Sequence, residues 1–132
     1  MAQFVMADLV RRAGREDEFV IDSAATSTEE IGNLPHHGTV AKLREVGVPV
    51  LRHRARQIRR GEYEDWDHIV YMDAENRRWL ARILGEDPMG KVSRLLDWTD
   101  DPHDVADPWY TGNFDDTYED VLLGCQALLA QL

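Results

Sequence analysis

Asp107-Pro108-Trp109-Tyr110, followed by Thr111-Gly112, is the stretch of this chain whose residue types are best suited to chemistry. Asp-Pro alone is a turn signal. With two large aromatics behind it, the aspartate reads as a carboxyl group at the mouth of an aromatic-lined cleft. Such a group can hand a proton to an aromatic leaving group. Cys125 is the one thiol in the chain, and it falls on the apolar stripe of the last helical pattern. That placement predicts a buried structural thiol rather than a nucleophile. His36-His37 resembles a metal pair only at first sight. Further ligands at metal-binding spacing are wanting, with His53 alone nearby, so no metal site is expected.

Several elements must position that aspartate. Residues 1–13 carry Phe4, Val5, Leu9 and Val10 at helical spacing, with Gly14 placed as a stop. Phe19-Val20-Ile21 reads as a short buried strand ending at Asp22-Ser23, before a polar loop over 24–37. A helix is predicted from Thr39 to Val46, and an extended run over 48–51. Residues 54–63 read as basic and irregular. Residues 67–72 form a second strand. Asp73 caps a helix to about Leu84, with Trp79, Leu80 and Ile83 on its apolar side. A weaker strand spans 92–96, a loop 97–113 and a final helix 115–132. The last helix buries Val121, Leu122, Cys125, Leu128, Leu129 and Leu132. Strands alternating with helices predict an α/β fold in three layers, a parallel sheet with helices on both faces, in a single domain over residues 1–132.

Composition narrows the function classes. The 132 residues carry a formal charge of −10, from 25 acids and 15 bases. Residues 97–120 hold nine acids and no Lys or Arg. This balance disfavours nucleic-acid binding. The cluster Arg52, Arg54, Arg56, Arg59 and Arg60 reads as a surface stripe that counters the acidic C-terminal third. No apolar run approaches the roughly 18 residues of a membrane span. The first residues lack a signal-peptide pattern. A soluble cytoplasmic protein without membrane attachment is expected, and no cofactor is implied.

Four segments in order carry a resemblance: Asp22-Ser23-Ala24-Ala25-Thr26-Ser27, His53-Arg54-Ala55-Arg56-Gln57, Asp67 to Asn76, and Asp107-Pro108-Trp109-Tyr110. Together they resemble the low-molecular-weight protein tyrosine phosphatases, bacterial members in particular. The resemblance implies hydrolysis of phosphotyrosine, on proteins or small aryl phosphates, through a cysteinyl-phosphate. It makes Asp107 the general acid and Trp109 and Tyr110 the walls for the substrate ring. It makes Ser23 and His53 hydrogen-bonding supports of the phosphate loop, with Asp73 as the carboxylate partner of His53. Glu29 and Glu30 would make the rim of the cleft acidic.

One departure qualifies this. The family's Cys-x5-Arg-Ser loop precedes a Met-Ala-Glu-like stretch, which here matches Met1-Ala2-Gln3. The expectation is a fold lacking its first, interior strand and that loop, on the order of 15–20 residues. Cys125 does not replace the nucleophile, since Gln131 stands where the loop arginine would be. The chain as given is therefore expected to be inactive, and to fill the gap by strand exchange or homo-oligomerisation. A noncatalytic interaction protein on the same scaffold is the alternative of a different class. A phosphoarginine phosphatase also stays open. A thioredoxin-coupled arsenate reductase is disfavoured, because no cysteine lies between residues 48 and 124.

Overall fold

The computed structural model describes residues 1–27 and 31–132, and of Trp109 the backbone only. The first helix, α1 (Ala2–Arg12), starts at Met1 without a side-chain cap and ends before Gly14, whose φ of 69° favours glycine. It buries Phe4, Val5, Met6 and Val10. Buried Asp8 is held by Arg11 and Arg12 one turn on. The second helix, α2 (His37–Glu45), is capped by His36, whose Nδ1 accepts the Gly38 N–H at 3.0 Å.

Strands β1 (Ile69–Tyr71) and β2 (Val92–Arg94) pair in parallel, with Ile69 opposite Val92. Between them runs α3 (Ala74–Leu84), the crossover helix that parallel neighbours require. Asp73 accepts the Asn76 N–H at 2.8 Å as its N-cap, and Gly85 follows it at φ 77°. A 3-10 turn over Leu95–Trp98 then leads through an acidic loop to α4 (Pro108–Thr111) and α5 (Phe114–Ala130).

The main core joins α1 and α5 to the 3-10 turn, through Phe4, Val5, Val10, Leu95, Leu96, Val121, Cys125 and Leu128. A smaller cluster of Tyr63, Ile69, Leu80 and Leu84 packs α3 on β1. Gly124 permits the close approach of α5, since a methyl group there would overlap Leu95.

The structure corrects several expectations. Phe19–Ile21 pairs with no strand among the described residues, and Val20 is 84% exposed rather than buried. Trp79 is 39% exposed beneath Arg78 and Arg82, and Leu84 takes the buried place expected for it. Leu132 lies at the surface, beyond the end of α5. The acidic loop, expected to be irregular, contains α4.

Candidate active site

Asp107 stands just past the carboxyl end of β1. The Val105 N–H donates to the Met72 carbonyl at 2.9 Å, immediately after the strand, and Val105 itself is buried. Asp104 accepts from the Ala74 N–H at 3.2 Å and from Arg94 Nη1 at 2.9 Å. Hydrogen bonds from Arg94, then the Ala74 N–H, hold the Asp104 carboxyl below its ordinary range. From the other side, Thr117 Oγ1 on α5 donates to the Ala106 carbonyl at 3.0 Å. Ties to β1, α3 and α5 thus fix the three residues before Asp107.

Asp107 begins α4. Its carbonyl accepts from the Tyr110 and Thr111 N–H groups at 3.1 and 3.3 Å, which places Asp107 at the N-cap and Pro108 at the first helical position. Tyr110 is 79% exposed. Asn113 then caps α5 by accepting the Asp116 N–H at 3.0 Å. The start of α5 packs on α2, where Phe114 stacks on His36, which stacks on His37. Lys42 pairs with Asp115 at 2.8 Å.

A second polar group gathers where α1 meets the extended segments. Ser23 Oγ lies 2.7 Å from Gln3 Oε1 and 3.0 Å from His53 Nε2. Asp22 Oδ1 is 3.6 Å from His53 Nδ1, while Oδ2 pairs with Arg56 at 3.0 Å. The Phe4 ring meets the His53 ring edge-on. The sequence Ser–His–Asp resembles a nucleophile and its base, but the proton count opposes that role. The one Ser23 proton goes to the shorter contact with Gln3, so His53 faces Ser23 as a donor. No Ser23 proton therefore faces His53 for removal. Gln3, Phe4, Ser23, Asn33, Pro35 and His53 are among the residues lining a cavity of about 210 Å³. Cys125 is 2% exposed, and burial pushes its thiol up to about 12.

The sequence profile described as low molecular weight phosphotyrosine protein phosphatase matches residues 1–132. The chain belongs to this family. It is 38% identical to the low molecular weight protein-tyrosine-phosphatase YfkJ of Bacillus subtilis, over all of this chain and 86% of that protein. The low molecular weight phosphotyrosine protein phosphatase of Saccharomyces cerevisiae is 33% identical, over 83% of this chain and 71% of its own. The crystal structure of YfkJ superimposes with a TM-score of 0.93, covering 98% of this chain and 83% of that one. The Streptococcus pyogenes low molecular weight protein tyrosine phosphatase gives 0.84 at 32% identity, covering 99% and 82%. The α/β fold of the phosphatase family, a parallel sheet with helices, is thereby shown.

Of the residues singled out in the sequence, Ser23 and His53 are brought together. Asp73 is not joined to His53; it caps α3, and the carboxylate beside His53 is Asp22. The side chain of Trp109, Glu29 and Glu30 lie outside the described residues. Sequence reasoning missed Gln3, Arg94 and Asp104. Their partners lie 10 to 30 residues away, and no local pattern announces them.

Proposed function

We propose that this phosphatase-family domain serves phosphotyrosine hydrolysis with Asp107 as the general acid. The observation that carries the reading is the bond from Val105 to Met72, which pins the Asp107 loop at the carboxyl end of β1. Ligands of open parallel sheets bind at that end. In this reading the P–O bond to the phenol breaks as a thiolate forms a P–S bond. Asp107 gives its proton to the departing phenolate. The carboxylate then takes a proton from the water that releases phosphate. Trp109 and Tyr110 flank the aromatic ring of a phosphotyrosine protein or small aryl phosphate. Ser23 and His53 support the phosphate-binding loop as a hydrogen-bonded pair, with Asp22 rather than Asp73 beside the histidine. The reaction is placed in the cytoplasm.

The same reading assigns no nucleophile within these 132 residues. Their one thiol is buried and its pKa is about 12. The Cys-x5-Arg-Ser loop then comes from outside them, together with a strand. Room for such a strand is supported by the backbone of β1. Ile69 bonds toward Lys91, so the N–H and C=O of Val70 turn to the opposite edge. Strand exchange or oligomerisation would fill that edge in these residues alone.

The test is p-nitrophenyl phosphate hydrolysis by the 132-residue chain and by the same chain carrying an upstream Cys-x5-Arg-Ser-Pro segment. The reading requires turnover in the second and background in the first. Turnover by the first that survives Cys125→Ser would overturn the nucleophile assignment. No turnover by a folded second chain would instead favour a noncatalytic interaction protein.

A further inference from the structure

Arg52, Arg54, Arg56, Arg59 and Arg60 fall within nine residues of a chain whose net charge is −10. Read from sequence, this stripe counters the acidic C-terminal third; among the described residues the structure joins it to none of those acids. Arg56 pairs with Asp22 at 3.0 Å and Glu62 at 2.7 Å. Arg54 donates to the Gly32 carbonyl at 2.8 Å. Arg52, Arg59 and Arg60 have no carboxylate partner among the described residues.

The backbone beneath the stripe is held on both sides. On one side the Gly32 N–H donates to the Ala55 carbonyl at 2.7 Å, and the Ala55 N–H to the Asn33 carbonyl at 2.8 Å. On the other, the Ala25 N–H donates to the Arg56 carbonyl at 2.7 Å, and the Ile58 N–H to the Ala25 carbonyl at 2.9 Å. Arginines on so fixed a backbone are pre-positioned, which lowers the ordering cost of binding. Arg56 and Arg59 line a cavity of about 460 Å³ together with Ile31, Gln57 and Glu62. Ile31 is half exposed at this cavity, an apolar contact amid the cations.

We propose that this stripe and cavity form a docking surface for an acidic peptide segment. Carboxylates of the segment pair with Arg52, Arg54, Arg59 and Arg60, whose planar guanidinium groups match carboxylates in bidentate fashion. An apolar side chain of the segment rests on Ile31. Nine residues span at most about 30 Å, so a segment of about eight peptide residues covers the stripe. The charge of the rest of the molecule selects against longer polyanions: a nucleic acid running past the stripe meets a surface of like sign. The proposal is independent of phosphatase chemistry, because no group in it takes part in phosphoryl transfer.

The test is fluorescence anisotropy of a labelled eight-residue peptide, rich in Glu and Asp around a central Leu, with the 132-residue chain. Binding is expected with Kd on the order of tens of micromolar at low salt, weakened at least ~5-fold by 0.2 M salt. Arg52→Glu with Arg60→Glu weakens it by roughly 10-fold or more, as charge reversal beside a bound anion does. Arg59→Ala weakens it less. The reversal Arg78→Glu with Arg82→Glu, on the exposed face of α3, leaves it within about 2-fold, since these charges lie outside the stripe. Circular dichroism confirms that each variant is folded. A folded chain that leaves the peptide free at millimolar protein overturns the proposal. Equal weakening by the two reversals overturns it too, as does tighter binding of a single-stranded oligonucleotide of equal charge.

Discussion

Gly124→Ala tests the packing that carries the Asp107 loop. Gly124 sits in the middle of α5, against Leu95 in the turn that leaves β2. A methyl group on Gly124 would overlap Leu95 Cγ and lie 2.9 and 3.0 Å from its Cδ2 and Cδ1. Leu95 is itself fully buried, so it has little space to retreat into. Overpacking of this kind costs about 1–3 kcal/mol, and so severe an overlap belongs at the upper end. Alanine returns about 1 kcal/mol of helix propensity. The net expectation is destabilisation of about 2 kcal/mol, a fall in Tm of roughly 5–10 °C for a domain of this size. Urea and thermal unfolding followed by circular dichroism measure it. Leu95→Ala supplies the cross-check. Alone it opens a cavity at a cost of about 2–5 kcal/mol. In the double variant the new methyl group at position 124 partly fills that cavity, so the pair should be less destabilised than the sum of the singles. Gly61→Ala, where nothing stands within 4 Å of the new methyl, serves as a neutral control. A Gly124→Ala protein as stable as the parent, or strict additivity with Leu95→Ala, would refute the close-approach argument.

Two further outcomes follow from side-chain environments. With its pKa at about 12, Cys125 should be some 10³-fold less ionised at pH 8 than an ordinary thiol near 8.5. Reaction with a disulfide reagent should therefore be at least that much slower in the native chain than in urea; comparable rates would contradict the burial of the thiol. Asp87 accepts from Tyr63 Oη at 2.6 Å and from the Lys91 and Val92 N–H groups at 2.7 and 3.1 Å. The Tyr63 bond is the chief cause that holds its carboxyl below the ordinary value of 3.8. A group depressed on folding adds stability that is present above its unfolded value and lost as pH falls through its folded value. Asp87→Asn should thus be less stable than the parent at pH 7, with the gap narrowing toward pH 3; a gap independent of pH would show that the charge plays no part.

What the sequence revealed depended on how local the cause was. The Asp73 cap and the Gly85 stop of α3 lie at its own ends, and both are legible. So is the apolar stripe of α5 through Val121, Cys125 and Leu128. Phe19–Ile21 shows the limit: an apolar triplet signals burial or a strand only if a partner chain lies alongside, and pairing is a long-range property. Trp79 is a second case, because flanking Arg78 and Arg82 cover its ring at the surface. The short helix α4 left a readable trace, since an aspartate followed by proline is an N-cap and first-turn signature. For the candidate site, the Asp107 motif stood out by its composition. The role of Asp22 did not, because it joins His53 and Arg56, more than 30 residues downstream.

The central claim, that Asp107 protonates a phenolate leaving group, is tested most directly by leaving-group dependence. Aryl phosphates whose phenols span pKa values of roughly 7 to 10 would be assayed with the chain carrying the upstream cysteine loop, before and after Asp107→Asn. Asparagine keeps the size and the turn but cannot donate the proton. The parent should cleave the series at nearly equal kcat. The variant should lose about 10²- to 10⁴-fold with the most basic phenol, the usual worth of a general acid, and far less with p-nitrophenol. Equal losses across the series, or an unchanged rate with phosphotyrosine, would contradict the assignment.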